Sequence, residues 1–267
     1  MKFTVIVVCL NSKEALNYTL ESILKQEFTD YEILIKDGGS TDGSIEKIPS
    51  DAHIRLEVGK DSGIYDAMNR AVKMAKGDFV MFMNCGDCFA GTDVLTKVSA
   101  CIDEYAAKHE APVTNAIFYG DTKFCASDSV SKAPPKITGF VCYRNIPCHQ
   151  SIVYSKDTLT KRGFDTKYSV RADNEHFLYS FFKGGCEFTR VNCVIAGYEG
   201  GGFSESRANS EANKREYKEI VAKYIPWYKR FVYRLILIVT LYKLRGALAS
   251  SKRFGKVYQA LKGMLYR

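Results

Sequence analysis

Three apolar stretches of this chain each run straight into a short polar cluster rich in glycine and acid. Phe3 to Leu10 ends at Asn11-Ser12, Tyr31 to Lys36 ends at Asp37-Gly38-Gly39-Ser40-Thr41-Asp42-Gly43, and Phe79 to Met83 ends at Asn84-Cys85-Gly86-Asp87. A nearly unbroken apolar run is what a strand covered on both faces requires, and such strands belong to parallel sheets flanked by helices. Helical patterns lie between the runs. Asn11 and Ser12 can cap a helix with Ala15, Leu16, Leu20, Ile23 and Leu24 at helical spacing, and Tyr65 to Ala75 places Ala67, Met68, Ala71, Val72 and Ala75 on one face. With Ile54 to Val58 as a further strand, the alternation predicts an α/β, doubly wound, mostly parallel sheet with right-handed crossovers. Ligands of such sheets bind outside the carboxyl ends of the strands, so the clusters are expected to meet at one crevice.

Further along, Thr92 to Lys108 reads as a helix and Ala116 to Tyr119 as a short strand, with Asp121 after it as a turn residue. Residues 122–147 carry Pro134, Pro135 and Pro147 with little periodicity, which predicts loop and irregular strand. His149 to Tyr154 resumes a strand, Ala172 to Phe182 a helix, and Val191 to Tyr198 a strand before the glycine-rich stretch 199–204. This reading divides the chain into a domain over 1–205 and a basic helical tail over 206–267.

The nine cysteines are scattered, and apart from Cys85 and Cys88 no CxxC pair forms, which argues against a zinc site and for reduced thiols. The apolar run at the start is short, β-branched and without a small-residue cleavage site, so it reads as a first strand of a cytoplasmic protein. Charge is unevenly spread. Eleven basic residues and no acid follow Glu219, so of the net +8 the first 219 residues carry −3. Within the tail, Trp227 to Leu244 mixes aromatic and aliphatic residues with Lys229, Arg230, Arg234 and Lys243, and Lys252 to Arg267 repeats that chemistry. The apolar stretch Leu235 to Tyr242 is too short to cross a bilayer, so an interfacial helix facing anionic lipid is the expectation. A hairpin packed on the body or in a dimer is the alternative. No nucleic-acid-reading motif accompanies the charge, so nucleic acid is not expected as a partner.

Residues from about 3 to 205 resemble a family 2 glycosyltransferase with the GT-A fold, of the bacterial polysaccharide type. The resemblance lies in ordered motifs: an apolar strand with Asn11-Ser12, Gln26-x-Phe28-x-Asp30-Tyr31-Glu32, Asp37 to Gly43, Asp61-x-Gly63-Ile64-Tyr65-Asp66-Ala67-Met68-Asn69, Gly77-Asp78, Asn84-Cys85-Gly86-Asp87 and His149-Gln150. It implies a Rossmann-like sheet and an inverting transfer from a nucleotide-sugar, a UDP-sugar, to a lipid-linked saccharide at the cytoplasmic membrane face, and the basic tail fits attachment there. Donor-nucleotide contacts are assigned to Val8, Leu10, Asn11, Asp37, Gly38, Asp61, Gly63, Asp66, Asn69, Asn84, Cys85 and Gly86. Asp37 is the candidate acceptor for the ring N–H of the base, with glycines allowing close backbone approach.

Asp87 is the candidate ligand for Mg²⁺ or Mn²⁺, which neutralises a leaving diphosphate. The family usually has an Asp-x-Asp-Asp type motif there, and only the last acid is present here. Asp173 in Arg171-Ala172-Asp173-Asn174-Glu175 resembles the segment supplying the base, with Glu175 as fallback. His149, Gln150, Gly201, Gly202 and Ser204 are assigned to the acceptor or diphosphate. Read from the residues alone, Asp37 to Ser40 serves equally as a tight turn, and Asp173 as a helix N-cap. Two other functions remain open at this point: a nucleotidyltransferase, and a membrane-bound scaffold with a decayed site.

Overall fold

The computed structural model describes residues 1–200 and 207–240, and the expectations for Gly201, Gly202, Ser204 and the second basic segment lie outside them. The chain divides into two units, Met1–Ile220 and Val221–Arg267. Whereas the sequence reading began the tail at residue 206, the first unit extends through most of the helix that follows.

In chain order the first unit contains β1 (Phe3–Cys9), α1 (Lys13–Leu24), β2 (Tyr31–Asp37), β3 (Ile54–Val58), α2 (Ile64–Met74), β4 (Phe79–Phe82) and β5 (Cys88–Phe89). Next come α3 (Val94–His109), β6 (Ala116–Phe124), β7 (Ser129–Ser131), α4 (Gly139–Arg144), β8 (Ile152–Ser155), α5 (Lys156–Lys161), α6 (Ala172–Phe182) and β9 (Glu187–Tyr198). Helix α7 (Ser210–Tyr224) spans the division, and α8 (Trp227–Val239) lies in the second unit. A nine-stranded sheet runs β3-β2-β1-β4-β8-β6-β9-β5, with β7 beside β6. Strands β1 to β4 are mutually parallel, and β8 enters antiparallel between β4 and β6. The polar start of β8 therefore arrives at the rim where β1, β2, β4, β6 and β9 end.

Alternate residues of β1 face opposite sides. Phe3, Val5 and Val7 join Leu16, Leu20 and Ile23 of α1 and Val94, Leu95, Val98 and Ile102 of α3 in one core. Each such fully buried aliphatic side chain contributes roughly 1.5 to 3 kcal/mol. Gly77 fixes the approach of β4 to β1, because a Cβ there would lie 2.4 Å from the Phe3 carbonyl carbon and 2.5 Å from the Thr4 nitrogen.

The structure extends several expectations. Strand β6 continues through Asp121, held by a bulged parallel ladder to β9, so Asp121 lies inside a strand and not in a turn. The stretch 122–147 holds β7 and α4, whose N-cap Thr138 accepts the Val141 N–H. His149–Ser151 forms a 3₁₀ turn ahead of β8. Ser12 does not cap α1 through its side chain; its hydroxyl donates to the Leu10 carbonyl.

Candidate active site

At the end of β1, Leu10 is 58% exposed and Asn11 takes a left-handed conformation at φ 51°. Asn11 and the β2 turn are laced together: the Asn11 N–H donates to Ser40 Oγ at 2.8 Å, and Asn11 Oδ1 accepts the Thr41 N–H at 2.9 Å. The Val8 carbonyl accepts the Cys85 thiol. A Cβ on Gly38 would lie 3.1 Å from Asp61 Oδ2 and 3.4 Å from Leu10 Cδ1, so Leu10, Gly38 and Asp61 converge on one spot. Asp61 Oδ1 accepts the Gly63 N–H, and Oδ2 lies 3.7 Å from the buried Lys36 ammonium.

Asp37 needs correction. Its carboxylate is fully buried and accepts the N–H groups of Gly39 and Ser40 at 2.7 and 2.8 Å and the Ser40 hydroxyl. A carboxylate so committed shapes its own turn and does not reach toward a base. Asp66 likewise serves its own helix, accepting the Ser62 N–H and pairing with Arg70 at 2.9 Å. Asn69 is committed to Phe164: its side-chain NH₂ donates to the Phe164 carbonyl and its Oδ1 accepts the Phe164 N–H, both at 2.8 Å. Gly163 makes room for this clamp, since a Cβ there would sit 2.5 Å from Asn69 Oδ1.

Asp87, on the turn after β4, is 5% exposed. Gln150 Nε2 donates to its Oδ2 at 2.7 Å and the Glu199 N–H to its Oδ1 at 3.1 Å. In the same turn, Asn84 Oδ1 is buried without a hydrogen-bond partner among the described residues. No group of three His, Cys, Asp or Glu converges as a metal cage among the described residues. The donor set nonetheless fits a hard cation that keeps water and phosphate oxygens in its shell, with Asp87 as carboxylate and the orphaned Asn84 oxygen as neutral donor. Cys85 and Gly86 contribute backbone to this turn, with Gly86 at φ 97°.

Across the rim, Asp173 sits in the first turn of α6. The Tyr65 hydroxyl lies 2.7 Å from Asp173 Oδ1, whereas Asp173 Oδ2 has no hydrogen-bond partner among the described residues. Glu175 is fully buried and accepts Arg162 Nη2 on both oxygens at 2.8 and 2.7 Å, which places it in an ion pair and not at the reacting face. His149 needs a similar correction: its ring stacks on Phe82 at 4.9 Å, and burial lowers its pKa below the ordinary value. Both of its ring nitrogens are buried without a hydrogen-bond partner among the described residues, while Gln150 beside it reaches Asp87.

The charges of the aspartates act on the thiols of these strand ends. The charge of Asp37 acts on Cys9, which hydrogen-bonds Cys85, and the charge of Asp87 acts on Cys85. Burial, opposed by the Gln150 N–H and aided by the charges of Asp87 and Asp173, pushes the Cys148 thiol up to about 12.

Two supporting residues escaped the sequence reading. Glu216 of α7 is 4% exposed and accepts the N–H groups of Ser169, Val170 and Arg171 at 2.9, 3.0 and 2.9 Å, bracing the loop that leads into Asp173. The available signal was its spacing, four residues before the buried Ile220, which puts an acid on an apolar helix face. Asp121 is 3% exposed and pairs with Lys132 at 2.8 Å and Arg190 at 3.0 Å. Burial opposes its ionisation, yet Lys132, the Ala133 N–H and Arg190 hold its carboxyl below the ordinary range.

Several known proteins resemble this chain in sequence or fold. A PGL/p-HBAD biosynthesis glycosyltransferase of Mycobacterium bovis (strain BCG / Pasteur 1173P2) is 29% identical over 244 residues, 89% of each chain. An Escherichia coli enzyme, UDP-Glc:alpha-D-GlcNAc-diphosphoundecaprenol beta-1,3-glucosyltransferase WfaP, is 29% identical over 155 residues, 56% of this chain and 59% of that one. Among solved structures, S. aureus TarS 1-349 superposes with a TM-score of 0.64 at 20% identity over 84% of this chain. This chain spans 65% of that structure's length. The mannosyltransferase PcManGT from Pyrobaculum calidifontis, in complex with GDP-Man and Mn²⁺, gives a TM-score of 0.60 at 18% identity, covering 99% of this chain and 80% of that one. These two likenesses establish the GT-A fold. The model of glycosyl transferase family 2 matches residues 4–182, two thirds of the chain, and the chain belongs to that family.

Proposed function

We propose that this glycosyltransferase moves one sugar, with inversion, from a UDP-sugar to a lipid-linked saccharide at the cytoplasmic membrane face during cell-surface polysaccharide synthesis. Family membership sets aside the nucleotidyltransferase and decayed-scaffold readings. The observation that carries the mechanism is the Asp173 carboxylate, anchored through one oxygen and without a partner on the other, in the neighbourhood of Asp87. The WfaP relative, by its name, uses UDP-Glc and a diphosphoundecaprenol-linked acceptor, which supports the donor and acceptor classes.

In this reading the nucleoside sits against Leu10, Gly38 and Asp61, with Asp61 replacing Asp37 as the residue that accepts from the donor. Asp173 Oδ2 takes the proton of the acceptor hydroxyl as that oxygen bonds to the anomeric carbon, and the bond from that carbon to the diphosphate breaks on the opposite side. Asp87 and Asn84 would hold Mg²⁺ or Mn²⁺, which when bound supplies positive charge against the leaving diphosphate. Gln150 keeps the Asp87 carboxylate oriented. Asp173→Asn is expected to lower release of UDP from UDP-glucose in the presence of GlcNAc-diphosphoundecaprenol by about 10²- to 10⁴-fold while UDP affinity stays within a few fold. Full turnover in that variant removes the base assignment.

Helix α8 supports the membrane site. No helix among the described residues is long and apolar enough to cross a membrane. Trp227, Phe231, Leu235 and Ile238 share one face and are 73, 59, 45 and 59% exposed. Arg230 and Arg234 lie along one edge of that face, and each basic residue near an anionic surface contributes about 1 kcal/mol. A second copy of the same surface would meet it with like charge, because no acid follows Glu219. Sedimentation with vesicles should show binding to phosphatidylglycerol but not to phosphatidylcholine, lost in Phe231→Glu/Leu235→Glu. Equal sedimentation with both lipids, or none, refutes the assignment.

A further inference from the structure

The segment Asp61 to Asn69 stands out in the sequence as a donor-side motif, yet two of its side chains reach the opposite half of the site. Asn69 clamps Phe164, and the hydroxyl of Tyr65 lies 2.7 Å from Asp173 Oδ1 and 2.9 Å from the Val170 carbonyl oxygen. Tyr65 has one proton to donate, and an ionised carboxylate is the stronger acceptor. Its ring packs against Phe164 at 5.6 Å, which leaves it little freedom to turn. Burial first, and then the Asp173 charge, pushes the phenol well above the usual tyrosine range, so it remains protonated.

We propose that Tyr65 is the positioning residue for Asp173, and that α2 thereby links the donor-side segment 61–63 to the base that activates the acceptor. The inference rests on the reading of Asp173 as base. Hydrogen-bonding Oδ1 fixes the carboxylate plane and leaves Oδ2 to receive the proton. Tyr65 lies two residues after Gly63, which opens α2 at φ 132°, so the donor-side loop 61–63 and the anchor of the base are separated by about half a turn of helix.

The test is a mutant cycle on the full chain, read as UDP released from UDP-glucose with GlcNAc-diphosphoundecaprenol, or from the UDP-, GDP- or dTDP-sugar that a donor screen identifies. Tyr65→Phe keeps the ring and removes the hydroxyl. It should lower kcat by about 10- to 100-fold, a part of the 10²- to 10⁴-fold that a general base supplies, with UDP affinity within twofold of the parent. Tyr65→Phe/Asp173→Asn should be no slower than Asp173→Asn alone, because a residue acting only through the base has nothing left to position. A merely structural tyrosine would lower donor affinity along with turnover. Parental turnover in Tyr65→Phe, or losses that multiply in the double variant, overturn the inference while leaving the base in place. Full turnover in Asp173→Asn overturns the base assignment and this inference with it.

Discussion

Replacing Glu216 by glutamine tests whether a single buried carboxylate braces the loop before the base. Its two oxygens accept three backbone N–H groups and the Ser169 hydroxyl. A glutamine keeps one acceptor, best placed opposite Val170 and Arg171, and turns an amide NH₂ toward the Ser169 N–H. Two hydrogen bonds then fall from charge-assisted to neutral, about 1 kcal/mol each, and one partly buried N–H loses its acceptor for a further 1 kcal/mol or more. The sum is about 3 kcal/mol. For a chain of this size that corresponds to a fall in Tm of roughly 6 to 12 °C. Differential scanning calorimetry on the parent and on Glu216→Gln reads this directly, and turnover should fall as well because the loop leads into Asp173. A Tm within 1 °C of the parent would refute the reasoning.

Acid should weaken the protein through a neutral histidine. His176 is held down to about 4, chiefly by burial and then by the Arg162 charge, from an ordinary 6.5. Between those values the unfolded chain takes up a proton that the folded chain refuses. Stability is therefore complete above pH 6.5 and declines as pH falls toward 4, by on the order of 3 kcal/mol; His149, also lowered by burial, acts in the same direction. The urea midpoint should drop between pH 7.5 and pH 5, less steeply in His176→Gln, and a flat profile contradicts this account. Gly77→Ala should cost about 3 kcal/mol or prevent folding, because its new methyl meets backbone atoms of β1 that cannot rotate away. Gly59→Ala, with nothing within 4 Å of the new methyl, is the control expected to unfold near the parent's urea midpoint.

What the sequence made legible follows from the range of each signal. Apolar runs and helical spacing are local, so β1, β2, β4, α2 and α6 stand within a residue or two of where periodicity places them. The rim of polar strand ends was legible for the same reason. Partnerships were not. Tyr65 and Asp173 lie 108 positions apart, Asn69 and Phe164 95 apart, and Glu216 and Val170 46 apart, and no periodicity reports on such pairs. Asp37 shows the same limit in reverse: its acid-glycine spacing fits a ligand contact and a self-capped turn equally, and only the hydrogen bonds to Gly39 and Ser40 decide between them. Asp121 read as a turn residue because it follows a short apolar strand, whereas the ladder to β9 carries the strand onward.

Strand β8 runs against its neighbours, and this has a consequence for how the enzyme can diversify. A parallel strand would have turned its closing residues to the rim; the reversed one presents its opening residues, and the whole stretch 125–147 approaches from that same side. Apart from the short β7 hairpin, this stretch carries no sheet pairing, so it can lengthen, shorten or change composition without disturbing a ladder. One half of the rim is thus fixed by strand ladders, and the other opens onto a tract held chiefly by the packing of side chains such as Ile137, Cys142 and Ile146.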